Sequence, residues 1–275
     1  MLCAAFSFAK KDATSQVRWC TFNIRLLNDG DRKIGCHWDD RKEHIVKFVK
    51  STKIDVIGMQ EVTHPQLEYL LENLPQYDYV GVGRTDGKTK GEYSPVFFRK
   101  DKYTCLDKGN FWLSENPDAV GVKGWDAAIE RIVSWAKLRD NKTGKVFLAV
   151  NTHFDHIGVV ARKESAKLII RKIQEIVGNL PAVATGDFNV SECDEAYHTM
   201  TNDEFVMNDA FHVTENHHGT THTWQNFCQT PRQHCGKIDF IFVTPNIRVK
   251  DTYIRLETPD YQLSDHNPHW ADLEF

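Results

Sequence analysis

The sequence carries no Cys-x-x-Cys pair among its seven cysteines, so a structural zinc cage is not expected. Nor is there any excess of positive charge. Across 275 residues, 34 lysines and arginines face 38 aspartates and glutamates, a formal net charge of -4. Proteins that hold long polyanions by charge alone are usually basic, because each phosphate contact consumes a cation. A nucleic acid bound here would need a metal-filled cleft to do much of the attracting. Long hydrophobic runs are missing too: the apolar stretch at 1–9 is too short to cross a bilayer and has no positive residue ahead of it. No long apolar hairpin is available for membrane insertion, and no repeat, low-complexity tract or obvious linker interrupts the chain.

What remains is ordinary globular usage, with 41% hydrophobic and 26% charged residues, enough to bury a core without disulfide staples. Residues 1–16 read as a disordered lead-in or the remnant of a secretion signal, and 17–275 as one domain. The protein is exported or periplasmic if 1–9 is a signal remnant and cytoplasmic otherwise. The cysteines are expected as reduced core or loop thiols, with a local Cys228–Cys235 disulfide as the alternative. A monomer without stable membrane insertion is expected.

Strands are expected at 17–24, 54–59, 77–82, 94–99, 103–112, 131–139, 146–151, 182–185, 238–243, 249–256 and 269–273. The run 54–59 is continuously apolar, as for a strand buried on both faces. Helices are expected at 39–50, 65–74 and 158–177. In the first, Ile45, Val46, Phe48 and Val49 share a face; in the third, Ile169, Ile173, Ile176 and Val177 do. Segment 113–130 has turn residues and little periodicity, which suits a long functional loop. Strand-rich halves with few helices point to layered sheets with helices outside, rather than a doubly wound fold.

Polar residues interrupt or follow most of these buried strands. Such groups need partners, and a metal or phosphate supplies them. Asn23 ends the first strand and Gln60-Glu61 follows the second. Thr152-His153 follows 146–151, and Gly186-Asp187-Phe188-Asn189 follows 182–185. Asp239 lies within an apolar strand, and Ser264-Asp265-His266 precedes the last one. Singly, each is an ordinary turn or core residue.

In this order and context the six motifs resemble the endonuclease/exonuclease/phosphatase family, over about residues 17–275. The resemblance implies an α/β fold, a four-layer α/β/β/α sandwich of two mixed β-sheets flanked by helices, with the site at one rim. It also implies a hydrolase of phosphate esters that depends on Mg²⁺ or Mn²⁺. Carboxylate and amide oxygens are hard donors that suit these ions. Glu61 is the expected direct ligand with Asn23 beside it, and Asp265 holds the same ion or a second one. His266 and Asp239 form a dyad, Asp187 orients or deprotonates the attacking water, and Asn189 hydrogen-bonds a phosphoryl oxygen. Glu92 and His153 match a second Glu–His pair of the pancreatic-type deoxyribonucleases, and Arg131 matches a phosphate-binding arginine.

Departures narrow the substrate. The residues around Arg25 lack the acidic group of the apurinic-site endonucleases. Lys237-Ile238-Asp239-Phe240 stands where the inositol polyphosphate phosphatases carry Cys-Asp-Arg. A nuclease or other phosphodiesterase is favoured, with a small-molecule phosphomonoesterase or a non-catalytic phosphate-binding protein of the same fold as alternatives. His212, His217, His218 and His222 read as a solvated loop. Of Trp38, Trp125 and Trp224, Trp125 is the preferred substrate contact.

Overall fold

The computed structural model describes residues 14–202, 207–214, 216–258 and 261–275. The first half of the chain forms β1 (Gln16–Asn23), α1 (Trp38–Thr52), β2 (Val56–Gln60), α2 (His64–Asn73), β3 (Tyr77–Val80), β4 (Val96–Arg99), β5 (Tyr103–Trp112) and β6 (Ile132–Asp140). The second half forms β7 (Val146–His153), α3 (Val159–Val177), β8 (Ala182–Asp187), α4 (Glu195–Asn202), β9 (Asn208–Asp209), α5 (Ala210–Val213), β10 (Asn216–Gly219), β11 (Asp239–Val243), β12 (Arg248–Ile254) and β13 (His269–Glu274). Two mixed sheets result, in the orders β10-β12-β13-β1-β2-β4-β3 and β5-β6-β7-β8-β11-β9.

Strand periodicity builds the layers, because successive side chains point to opposite faces. Val17 and Trp19 of β1 meet Val56, Phe147, Ala149, Val183 and Ile241 between the sheets. Cys20 and Phe22, out of phase with them, pack against Ile45, Phe48 and Val49 of α1. On the opposite outer surface Ile169 and Ile173 of α3 cover Leu148, Val150, Ala182 and Ala184. This is the expected α/β/β/α sandwich. Each buried large apolar side chain contributes about 1.5–3 kcal/mol.

The middle layer is not wholly apolar. Gln60 Nε2 donates to Thr21 Oγ1 (3.1 Å) and, across the interface, to Asn151 Oδ1 (2.7 Å). Asn151 Nδ2 donates to the carbonyls of Met59 and Pro95, and Thr185 Oγ1 closes the group on Asn151 Oδ1. Gly58 is required here, because a Cβ on it would collide with Asn151 Oδ1 and Thr185 Oγ1. Gln60 Oε1 is left without a partner, but the bonds the cluster does make across the interface favour one alignment of the sheets, where an apolar interface alone would tolerate several.

Several expectations need correction. The boundary at residue 16 falls too late: Ser15 is fully buried, its N–H donates to Phe275 O (2.8 Å) and its hydroxyl to Asp140. The expected lead-in 1–13 lies outside the described residues. Strands 77–82 and 94–99 begin or end two residues short, since Pro95 has no N–H for the ladder. The histidine-rich stretch is not all loop: α5 holds His212, and β10, with His217 and His218, pairs in parallel with β12. Every β10 residue is exposed, so no alternation marked it. The six cysteines among the described residues are free thiols. No helix of the described residues is long and apolar enough to cross a membrane.

Candidate active site

The alternation that builds the middle layer also places the polar residues. Along β8, Val183 and Thr185 face the other sheet, and the next residue in that series is Asp187. Asn151 is followed in the same way by His153 on β7, and Thr21 by Asn23 on β1. Because β1 and β2 run parallel, as do β7 and β8, these strands end at one rim. β11 runs antiparallel to β8 and starts there, with Asp239 opposite Asp187. Asn23 Nδ2 bridges the sheets, donating to Asp187 Oδ2 and to Glu61 Oε1 at 3.0 Å each.

Glu61 is the first residue beyond β2. Its other oxygen accepts the Leu26 N–H at 3.0 Å. Asp265 accepts from Ser264 Oγ (3.1 Å) and faces Arg25 Nη1 at 3.7 Å. Glu61, Asp187 and His153 each offer a donor atom within 4.8 Å of the others. Burial and the neighbouring Asp239 carboxylate push Asp187 up to about 7, and burial raises Asp265. Carboxylates crowded in this way are short of positive charge, and their hard oxygens fit a divalent cation. Arg25, Glu61 and Asn189 all hold left-handed backbone, with φ of 61°, 61° and 49°. For residues other than glycine that conformation stores strain, which concentrates at functional sites.

His266 Nδ1 donates to Asp239 Oδ2 at 2.8 Å, and its Nε2 lies 3.7 Å from Asp187 Oδ2. Burial opposes a charged imidazole, yet Asp239 outweighs it and holds His266 well above the ordinary range. His153 is the opposite case. Burial, reinforced by Arg131 and Arg84, holds it well below that range.

The expected Glu92–His153 pair does not form. Glu92 is taken by Arg84, whose Nη1 and Nη2 each donate at 2.8 Å, while burial raises its pKa against that pull. Asn189 Nδ2 instead donates to Phe154 O and to His153 Nε2, both at 3.0 Å. That assignment leaves the proton on His153 Nδ1, which is buried and has no hydrogen-bond partner. Asn189 therefore has no amide hydrogen left for a phosphoryl oxygen. Its neighbour His153 has a free N–H.

Arg25, Glu61, Glu92, His153, Asp187, Asn189, Asp265 and His266 line one cleft of about 490 Å³ together with Arg131, His156, Ile129 and Trp224, with Asn23, Asp239 and Arg84 bonded to its walls. Arg131 is 3% exposed. Its Nη2 meets His156 Nδ1 (3.2 Å) and its Nε lies 3.7 Å from Asp155, but Nε and Nη1 have no hydrogen-bond partner. His156 and Arg84 were not singled out as site residues in the sequence, and Trp224 was weighed behind Trp125, because their loops reach the rim only through tertiary folding. Trp125 is misplaced for its expected role: it packs against the α3-side core and is not among the cleft-lining residues. Trp38, the first residue of α1, is buried in the core on that helix's side.

Behind the rim, Arg41 is 2% exposed. It donates Nε to Cys36 O (2.7 Å) and Nη1 to Ile24 O (2.9 Å) and Leu263 O (2.6 Å). It thus ties the segment after Asn23 to the segment before Asp265. Arg41→Met would leave three buried carbonyls without a donor, at about 1–3 kcal/mol each, partly offset by removing a buried charge. We expect a net loss of about 2–4 kcal/mol by urea denaturation. An unchanged midpoint would contradict it.

The chain matches the model of the endonuclease/exonuclease/phosphatase family over residues 20–266. The structure of an endonuclease/exonuclease/phosphatase from Bacteroides vulgatus is 54% identical, with a TM-score of 0.92 over 94% of this chain and 98% of that one. The mannosyl-6-phosphatase Bt3783 of Bacteroides thetaiotaomicron VPI-5482 is 39% identical, with a TM-score of 0.87 over 94% of this chain and all (100%) of that one. A probable RNA exonuclease of Saccharomyces cerevisiae, NGL3, is 26% identical over 181 residues, which are 62% of this chain and 35% of that protein. With six motifs in family order gathered at one rim, and a family match across nearly its whole length, the chain belongs to the endonuclease/exonuclease/phosphatase family.

Proposed function

We propose that this chain is an Mg²⁺- or Mn²⁺-dependent phosphomonoesterase that hydrolyses a small, hydroxyl-bearing phosphate ester. The observation that carries this reading is the charge lining of the cleft. Its arginines are Arg25 and Arg131, and each already faces a carboxylate. A polynucleotide track needs a row of cations. A single phosphoryl group needs one cation, and Arg131 keeps Nε and Nη1 without a hydrogen-bond partner. The mannosyl-6-phosphatase relative, matched along its full length, supports the same direction.

Glu61, with Asn23 and Asp265, would hold the cation, which when bound supplies Lewis-acid polarisation of a phosphoryl oxygen. Arg131 binds the phosphoryl group. Asp187 orients the attacking water and takes its proton, as a carboxyl near neutrality can. His266, kept charged by Asp239, donates toward the developing charge.

A second reading, cleavage of nucleic acid, is favoured by the exonuclease relative. The deciding experiment is a panel with Mg²⁺, Mn²⁺ or EDTA: hexose 6-phosphates, mononucleotides, single-stranded DNA and RNA. Metal-dependent phosphate release from hexose phosphates with intact polynucleotides supports the monoester reading. Cleaved polynucleotide with untouched monoesters overturns it.

A further inference from the structure

The loop from Arg84 to Glu92 closes on itself through Arg84 N–H to Glu92 O (3.1 Å) and Thr85 N–H to Lys90 O (3.1 Å). Tyr93 then pairs with Val62, the residue after Glu61. Glu92 is thereby set beside Glu61 on the wall of the same cleft. The loop is braced from behind by Trp112 Nε1 on Arg84 O and by Thr85 Oγ1 on Glu130, both at 2.6 Å. The fork from Arg84 fixes the orientation of the Glu92 carboxylate. Each oxygen keeps further acceptor capacity.

We infer that Glu92, oriented by Arg84, is the specificity-determining subsite for the alcohol part of the substrate. It accepts hydrogen bonds from the hydroxyls of a sugar-like monophosphate and repels leaving groups that carry a further phosphate. The inference rests on the monoester reading above.

Three observations converge on it. An ionised carboxylate is acceptor-only, so its natural ligand is a donor, and the vicinal hydroxyls of a sugar present two. Glu92 does not orient His153, whose Nδ1 has no partner and whose Nε2 faces Asn189, so it is free of the role a nuclease would give it. Arg84, a cation otherwise suited to a second phosphate, has both Nη groups committed to Glu92. With Arg131 engaged by the phosphoryl group being transferred, a second phosphate at this wall would meet negative charge in a cleft of reduced dielectric.

The test compares wild type, Glu92→Gln and Arg84→Met on mannose 6-phosphate, p-nitrophenyl phosphate and glucose 1,6-bisphosphate under saturating Mg²⁺, with a thermal melt of each protein. For Glu92→Gln, kcat/KM on mannose 6-phosphate should fall about tenfold or more beyond any fall on p-nitrophenyl phosphate, chiefly through KM. The preference for monophosphate over bisphosphate should shrink by a similar factor. Arg84→Met should move in the same direction. Equal losses on the hexose and aryl esters would place Glu92 at the reacting phosphate and overturn the inference, as would no loss on either. A wild-type enzyme that turns over aryl but no sugar phosphate would overturn the inference and leave the monoester reading standing. One that turns over no monoester would overturn both. Should Glu92→Gln fail to melt cooperatively, Glu92→Asp keeps the charge and withdraws the oxygens, and must show the same differential loss.

Discussion

Replacing His266 with alanine is expected to lower kcat by about 10²–10⁴-fold under saturating metal, the range typical of a lost proton-transfer or charge-stabilising group. His266 is the cation nearest Asp187 on the dyad side, 3.7 Å away, and is held charged by Asp239 at 2.8 Å. Its removal takes away both the donor and the charge that offsets Asp187. The substitution also leaves Asp239 buried without its partner, and breaking such a pair costs about 3–5 kcal/mol unless the carboxylate takes up a proton. Stability should therefore fall as well. The Asp239→Asn, His266→Ala double variant separates the two effects: it should recover much of the lost stability and none of the lost turnover. Wild-type rates in folded His266→Ala would remove His266 from the chemistry.

Glu61→Ala is expected to raise the dissociation constant for Mn²⁺ by about two orders of magnitude, read by titration without any substrate. Both oxygens of Glu61 are held, by Asn23 and by the Leu26 N–H, so the carboxylate is preorganised rather than adaptable, and loss of a preorganised ligand is felt strongly. Its stability effect should run the other way. Glu61 has a φ of 61°, and a glycine there would adopt that conformation without strain. Glu61→Gly should thus melt at or above the wild-type temperature without metal while binding Mn²⁺ as poorly as Glu61→Ala. A Glu61→Ala protein that titrates like wild type would move the metal elsewhere.

The layers were legible because burial on both faces leaves a plain mark: runs such as Val56 to Met59 and Ala182 to Ala184 tolerate little that is polar. The six motifs were legible for the same reason in reverse, since Asn23, Asp187 and Asp239 sit where the inward series should have continued with apolar residues. Pairing was harder to read. Glu92 looks like a partner for His153 until Arg84, eight residues earlier in the chain, proves to be in reach through a closed loop. Trp125 and Trp224 are equivalent as letters. One turns to the core and the other to the cleft for reasons set by loops whose course no periodicity encodes. β10 escaped notice because an exposed, all-polar edge strand is specified by its partner and not by its own pattern.

The cluster of Gln60, Asn151 and Thr185 between the sheets has a kinetic meaning. Glu61, Asn23 and Asp265 belong to one sheet and Asp187 to the other, so a cation on the first sheet gains the Asp187 carboxylate as a neighbour only when the sheets are docked. The alignment enforced by that polar pin creates that neighbourhood. Cation binding is then a reporter of docking: a ligand that binds the docked state more tightly stabilises it by mass action. Divalent cations should slow the separation of the two halves far more than they speed its reversal, if docking comes late in folding. In the cell, cation availability would set how long the molecule survives as well as how fast it works.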